Sequence, residues 1–377
     1  MKLLHLSDLH LGKRVNEFSM MEDQKYMMEQ ILEIAQECRA DAVLLAGDIY
    51  DKPVPPVEAV QLFDNFLTRL AQKNILVFAI SGNHDSAERL AFGAQLMQGK
   101  GIHIAPVYDG NSAPICLRDC YGEVRIHLLP FLKPAMVRHV FGEEEISTYQ
   151  DALRIALEHM ELDLSKRNVL VAHQFVTGAI RCESEEISVG GLDQVDAALF
   201  DAFDYVALGH IHSPQHVGRE TVRYCGSPLK YSFSEAGQEK SVTLVELGAK
   251  GAVNLQKIPL CPLRDMRKIR GTYLEVTARS FYQGTNTEDY IQVTLTDEED
   301  VPDGMQKLRI IYPNLMRLEY DNRRTSQERQ VEASRGAELK SELELFEEFY
   351  ELQNNQPMGD GQREFVQELI RKLKGAE

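Results

Sequence analysis

Lys2-Leu3-Leu4-His5-Leu6-Ser7-Asp8-Leu9-His10 carries a short apolar run into a carboxylate and an imidazole two residues apart. The same design recurs along the chain. The run 42–46 stops on Gly47-Asp48, 76–80 on Gly82-Asn83-His84-Asp85, 169–172 on His173, and 205–208 on Gly209-His210-Ile211-His212. Runs of four or five residues rich in Leu, Val, Ile and Ala read as strands buried on both faces, the habit of a parallel sheet covered by helices. Ligands of open α/β sheets gather outside the carboxyl ends of the strands, so five such ends bearing polar clusters predict one shared site.

Asp8, His10, Asp48, Asn83, His173, His210 and His212 offer only oxygen and imidazole nitrogen, a donor set suited to manganese, iron or zinc without thiolate. Asp-x-His or His-x-His alone arises by chance, and a single histidine beside a strand is ordinarily a core or surface residue. Five clusters at one structural position instead predict a centre for two metal ions. Two cations roughly 3.5–4 Å apart clamp the oxygens of a phosphate and acidify a water between them, so the chemistry expected is phosphate ester hydrolysis. Asp48, after the turn-permitting Gly47, is the candidate bridge between the ions. Asp8, His10 and His212 complete one ion, and Asn83, His173 and His210 the other; the alternation across 210–212 suits that division in extended chain. His84 is expected to touch the phosphate or protonate the departing oxygen, with Asp85 orienting it. The alternative for His84 is packing of its own loop.

Asp-x-His, Gly-Asp, Gly-Asn-His-Asp, a lone His and Gly-His-x-His in that order resemble the calcineurin-like metallophosphoesterase superfamily. Within it, residues 1–13, 46–56, 80–86 and 224–235 resemble the bacterial SbcD family of nuclease subunits. The resemblance covers roughly residues 1–240 by motif, and the remainder by layout. It implies a four-layer α/β sandwich, two mixed sheets flanked by helices, with a small α+β capping domain and C-terminal helices. It further implies a manganese-dependent DNA exonuclease and endonuclease. Such a subunit acts with the SbcC ATPase on ends and hairpins in repair, recombination and replication, as a heterotetramer of two SbcC and two SbcD. The family's ligands fall on the seven positions above, and its phosphate-side histidine falls on His84. Some relatives carry a second histidine shortly after Gly-Asp; Tyr50-Asp51-Lys52 stands here instead, which removes the basis for assigning that residue's role in choosing exonuclease or endonuclease action.

A chain of 377 residues with no apolar stretch of bilayer length and no signal-like start reads as a cytoplasmic enzyme away from membranes. Its six scattered cysteines, without a Cys-x-x-Cys pair, read as reduced thiols. A net charge of −17 opposes DNA binding, which depends on Lys and Arg neutralising phosphates. Lys13, Arg14, Lys52, Arg89, Arg181 and Lys230 flank the proposed centre and are candidates for a groove or ordinary surface. The expectation is that a partner supplies most of the DNA affinity. Neither a P-loop nor a zinc-finger spacing is present, so ATP hydrolysis and independent base readout are not predicted of this chain.

The α/β pattern, with helices expected at 22–39 and 57–72 and a further strand at 241–247, sets a nuclease domain over 1–262. Strands expected at 271–276, 290–295 and 308–312 set a capping domain over 263–321. Residues 322–337 read as a polar linker. A helical segment, 338–377, follows, with helices at 338–352 and 362–373. Its apolar stripes include Leu339, Leu343, Phe346 and Tyr350, then Phe365, Leu369 and Leu373. Such stripes either fold back on their own domain or dock a partner; the resemblance implies docking on SbcC. It also implies a homodimer through the nuclease domain, for which Val60, Phe63, Phe66, Leu67 and Leu70 are candidates, core packing being the alternative. Two other functions fit the same metal core: a phosphodiesterase for small substrates, or a non-catalytic regulatory subunit.

Overall fold

The computed structural model describes residues 1–111, 113–185, 194–323, 343, 346, 347, 350 and 358–374, and it divides into two compact units, Met1–Met266 and Arg267–Glu377. In the first unit, one six-stranded sheet runs Val253–Pro259, Ser241–Leu247, Lys2–Leu6, Ala42–Ala46, Leu76–Ile80, Ile102–Ile104. The last four strands are mutually parallel, and the first two are antiparallel additions at one edge. The other six-stranded sheet runs Gln215–Val217, Arg219–Tyr224, Tyr205–Gly209, Arg167–His173, Gly122–Leu129, Ile115–Asp119, again parallel at its centre and antiparallel at both edges.

Alternation of side chains across each strand builds the layers. Leu3, Ala42, Leu44, Ala46, Phe78 and Ile80 of one sheet share a core with Val124, Ile126, Val169, Val171, Tyr205 and Ala207 of the other. The opposite face of the second sheet, through Leu170, Ala172, Val206 and Leu208, packs on the helix Tyr149–Glu158. In the first sheet the intervening residues Leu4, Val43, Leu45 and Val77 are buried as well. The helices Met21–Glu37 and Val57–Gln72 pack together on that side. The result is the four-layer sandwich with two mixed sheets. Phe63, Phe66, Leu67 and Leu70, considered above as dimer contacts, are core residues of this chain, and only Val60 of that stripe is exposed. All six cysteines are free thiols. Among the described residues no helix is long and apolar enough to cross a membrane.

In the second unit a three-stranded sheet, Met266–Gly271, Tyr290–Leu295, Leu315–Tyr320, encloses a small core of Val276, Ile291, Val293, Leu295, Leu308, Tyr312 and Leu315. Two expected strands are corrected here. The stretch 271–276 enters a helix, Tyr273–Thr277, because Thr272 and Glu275 form a capping box in which each side chain takes the other's backbone N–H. Residues 308–312 end a helix, Gly304–Arg309, and the strand follows at Leu315–Tyr320; Leu308 and Tyr312 are buried four apart while Ile310 is exposed, a helical period. A helix spans Asp360–Lys374. Leu339 lies outside the described residues, as do 324–337 of the linker and most of the first expected C-terminal helix.

Candidate metal centre

Five parallel strands end side by side at the seam between the two sheets, and the turns after them interlock. The Asp8 and His10 amides donate to the carbonyls of Gly47 and Asp48 at 3.1 and 2.9 Å, which seats the first loop on the second. From the other sheet, the His210 amide donates to the Asp8 carboxylate at 3.0 Å. Asp8, His10, Asp48 and His210 all adopt positive φ, an unusual conformation for side chains of their size. Strained backbone of this kind persists where surrounding contacts over-determine it, and it concentrates at functional sites. Two glycines make the close approach possible. A Cβ on Gly209 would collide with the Ala46 carbonyl oxygen, and one on Gly47, at φ +86°, with the His173 ring.

The seven predicted donors are brought together. The Nε2 atoms of His10 and His212 stand 3.1 Å apart, beside Asp8, with donor atoms of all three within 4.8 Å of one another. Asn83 Oδ1 lies 3.0 Å from both His173 Nε2 and His210 Nδ1. Asp48 lies between the groups, its Oδ2 3.7 Å from His10 Nε2 and 3.4 Å from His173 Nε2. Asp8, His10, Asp48, His173, His210 and His212 are each less than a tenth exposed. Such a concentration of buried carboxylates and imidazoles is costly without a cation to draw the lone pairs together.

Each ring is aimed by what holds its other nitrogen. His173 Nδ1 donates to the Ala46 carbonyl at 2.8 Å, which leaves Nε2 for the centre. His212 Nδ1 meets the Ser184 hydroxyl at 2.8 Å, and Ser184 donates to Glu235 at 2.6 Å. Burial would raise the Asp48 carboxyl, but His173 at its side outweighs it, and Asp48 is held well below the usual carboxylate range. His173 is the reverse: burial depresses the ring, yet Asp48 pushes it up to about 9. Burial, with His173 nearby, pushes His210 down to about 3, and burial holds His10 well below its ordinary value. In effect one imidazole proton, on His173, balances Asp48, while the His10 and His210 rings keep bare nitrogens. The donor set therefore fits divalent cations, which displace that proton on binding.

His84 is at the mouth, with its side chain 15% exposed. Its amide donates to Asp48 Oδ1 at 2.9 Å, and its Nδ1 lies 3.1 Å from the Asp51 carbonyl, an acceptor, so Nδ1 carries the hydrogen. Nε2 then faces Asp48 Oδ2 at 4.0 Å. The orienting group is thus Asp51 and not Asp85. The Asp85 carboxylate instead accepts the amides of Ile49, Tyr50 and Gly82 at 3.1, 2.9 and 2.9 Å, and so ties the loop after one strand to the loop after the next. Burial, reinforced by Asp48, pushes its carboxyl up to about 6.

Several supporting residues had no motif to mark them. Gln24, buried on the first helix, accepts the Gly12 amide at 3.0 Å and donates to the His10 carbonyl at 2.7 Å. Tyr231 donates to the Leu9 carbonyl at 2.5 Å and sets its ring edge-on to His10 and His212. The Phe131 ring lies roughly parallel to that of His210, with centroids 6.5 Å apart. Of the flanking cations, Lys13 pairs with Asp51 at 2.6 Å and Lys230 with Asp265 at 2.8 Å, while the Arg181 guanidinium lies 3.4 Å over the Phe175 ring. Lys52 and Arg89 are exposed.

Comparison with known proteins agrees with this geometry. The calcineurin-like phosphoesterase family profile matches residues 1–214, and one described as the type 5 capsule protein repressor C-terminal domain matches 262–354. The chain is 34% identical over 322 residues to the D subunit of the SbcCD nuclease of Staphylococcus epidermidis, covering 84% of this chain and 85% of that protein. TT1561 of Thermus thermophilus aligns with TM-score 0.37 and 12% identity over 68% of this chain and 98% of its own. A dimetal phosphatase from Danio rerio aligns with TM-score 0.41 and 10% identity over 68% and 95%. Both of these likenesses are too distant to bear on function.

Proposed function

The chain belongs to the calcineurin-like phosphoesterases and, among them, to the SbcD nuclease subunits, and from that premise we propose a manganese-dependent DNA nuclease worked by the seven donors and His84. It is a metal-dependent phosphodiester hydrolase, the nuclease subunit of a complex with an SbcC ATPase. A small-substrate phosphodiesterase or an inert regulator is not favoured, because the likeness to the staphylococcal nuclease extends over 84% of the chain.

The observation that carries the assignment of residues is the double convergence: His10 Nε2 and His212 Nε2 at 3.1 Å, and Asn83 Oδ1 at 3.0 Å from two further imidazole nitrogens, with Asp48 between. Asp8, His10 and His212 would hold one ion, Asn83, His173 and His210 the other, with Asp48 shared between them. When bound there, two divalent cations would supply charge to neutralise the phosphate and to acidify a water. The chain's own part is to fix the donors before substrate arrives and to handle one proton. His84 Nδ1 is committed to the Asp51 carbonyl. Its Nε2 accordingly becomes a donor when the ring is protonated, and passes that proton to the departing oxygen. Asp85 keeps the two loops in register and takes no part in the proton's path.

The same proposal gives DNA as substrate, two SbcD and two SbcC as the assembly, and 338–377 as the segment that docks on SbcC. Supporting the docking role, Tyr350 accepts from Gln362 at 2.8 Å and Glu347 pairs with Arg363, so the described parts of 343–350 touch the final helix, while Phe346, Phe365 and Leu369 remain exposed. Leu343 and Tyr350 are partly buried. Leu373 is in the helix Asp360–Lys374. Exposed apolar residues on one helix are what a partner's groove takes up. The test is cleavage of a hairpin-ended duplex by the purified chain in manganese, with and without SbcC and ATP. Asp48→Ala is expected to abolish cleavage and SbcC to enhance it; turnover of small phosphodiesters alone, under every condition, would refute the DNA assignment.

A further inference from the structure

We infer that a buried relay from Lys240 through Glu235 and Ser184 positions His212, and thereby sets the affinity of one ion of the pair and not the other. The inference rests on the ligand assignment proposed above. Lys240 and Glu235 are 5% and 0% exposed, with Nζ and Oε2 2.6 Å apart. Lys240 Nζ also lies 2.9 Å from Ser227 Oγ, Gln238 Oε1 and the His212 carbonyl oxygen. A buried ion pair adds little stability by itself, since removing both charges from water costs about as much as their attraction returns. This one lies directly behind a metal ligand.

The direction of the hydrogen bonds follows from the charges. Glu235 beside an ammonium is an acceptor only, so the single Ser184 hydrogen goes to Glu235 Oε1 at 2.6 Å. Ser184 Oγ is left to accept, and its other neighbour is His212 Nδ1 at 2.8 Å. Nδ1 therefore carries the ring hydrogen and Nε2 is bare, facing His10 Nε2 at 3.1 Å. The His212 backbone is gripped as well, its amide by Glu185 Oε1 at 2.6 Å and its carbonyl by Lys240. Behind the ring of His173, on the other ion, stands the neutral Ala46 carbonyl. Side chains behind a metal-bound imidazole typically change metal affinity by about 10–100-fold when removed. Ser184, Glu235 and Lys240 are thus positioning residues specific to the ion of Asp8, His10 and His212.

The experiment is calorimetric titration of the metal-free full chain with Mn2+. Ser184→Ala is expected to weaken one of the two binding events by about 10–100-fold and leave the other unchanged, with the thermal melt of the metal-free protein unaltered. Ser184→Thr, which keeps the hydroxyl, restores it. The double variant Glu235→Gln with Lys240→Met, which removes both buried charges together, gives the same one-sided loss. Wild-type binding of both ions by Ser184→Ala or by the double variant overturns the relay, as does failure of Ser184→Thr to restore affinity. His212→Ala separates the two readings: it loses one ion outright if the ligand assignment holds, and binds both if that assignment is wrong.

Discussion

The strand ends of the first unit and the last helix of the second handle their functional side chains in opposite ways. At the strand ends, His173, His84 and His212 each have a second nitrogen engaged by backbone or hydroxyl, and four residues accept strained backbone. On Asp360–Lys374, Phe365 is 65% and Leu369 42% exposed. A catalytic centre gains from being fixed before substrate arrives, because the transition state then requires no reorganisation. A docking surface gains from waiting, because its burial energy is released only on association. The contrast predicts that variants of the first kind damage chemistry in the isolated chain, and variants of the second kind only its assembly.

The sharpest test of the first half is His84→Asn, expected to lower kcat by about 10²–10⁴-fold with both ions still bound, as read by nuclease assay beside metal titration. Lost metal binding would instead make His84 a structural residue. Gly209→Ala should lower stability by ~4 kcal/mol in urea denaturation, since its Cβ has no room beside the Ala46 oxygen; a smaller cost would mean that the seam between the sheets can yield. For the second half, Phe365→Asp with Leu369→Asp should weaken SbcC binding by about 2–4 kcal/mol while the isolated chain melts and cuts as before. Lost nuclease action without SbcC would break the comparison. The smallest effect is expected at a sheet edge of the first unit. Asp119, held low by Arg167 and by the Met1 amino group, has a depressed carboxyl. Its stabilisation is present above the unfolded-state value of about 4 and is lost as pH falls through the folded value. Asp119→Asn should therefore cost about 1 kcal/mol at pH 7 and progressively less below about pH 4.

Much of this was legible from the chain. The five apolar runs are strands because their residues are buried on both faces, and the clusters after them meet because parallel strands share a carboxyl end. The capping-box signal at Thr272 and Glu275 was also in the sequence, but the strand-favouring Thr272, Tyr273 and Val276 masked it. The role of Asp85 was not legible. Adjacency suggested that it serves His84, whereas three amides from two different loops take its carboxylate.

What the sequence determined by itself is the chemistry on offer: which donors exist, that they follow strands, and that none is a thiolate. What only the tertiary structure decided is which nitrogen each ring presents. His173 is aimed by a carbonyl 127 residues away, and His212 by a serine 28 residues before it, backed by Glu235 and Lys240. Hydrogen bonds between side chains distant in sequence leave no period or spacing behind them; they exist only once the two sheets are packed.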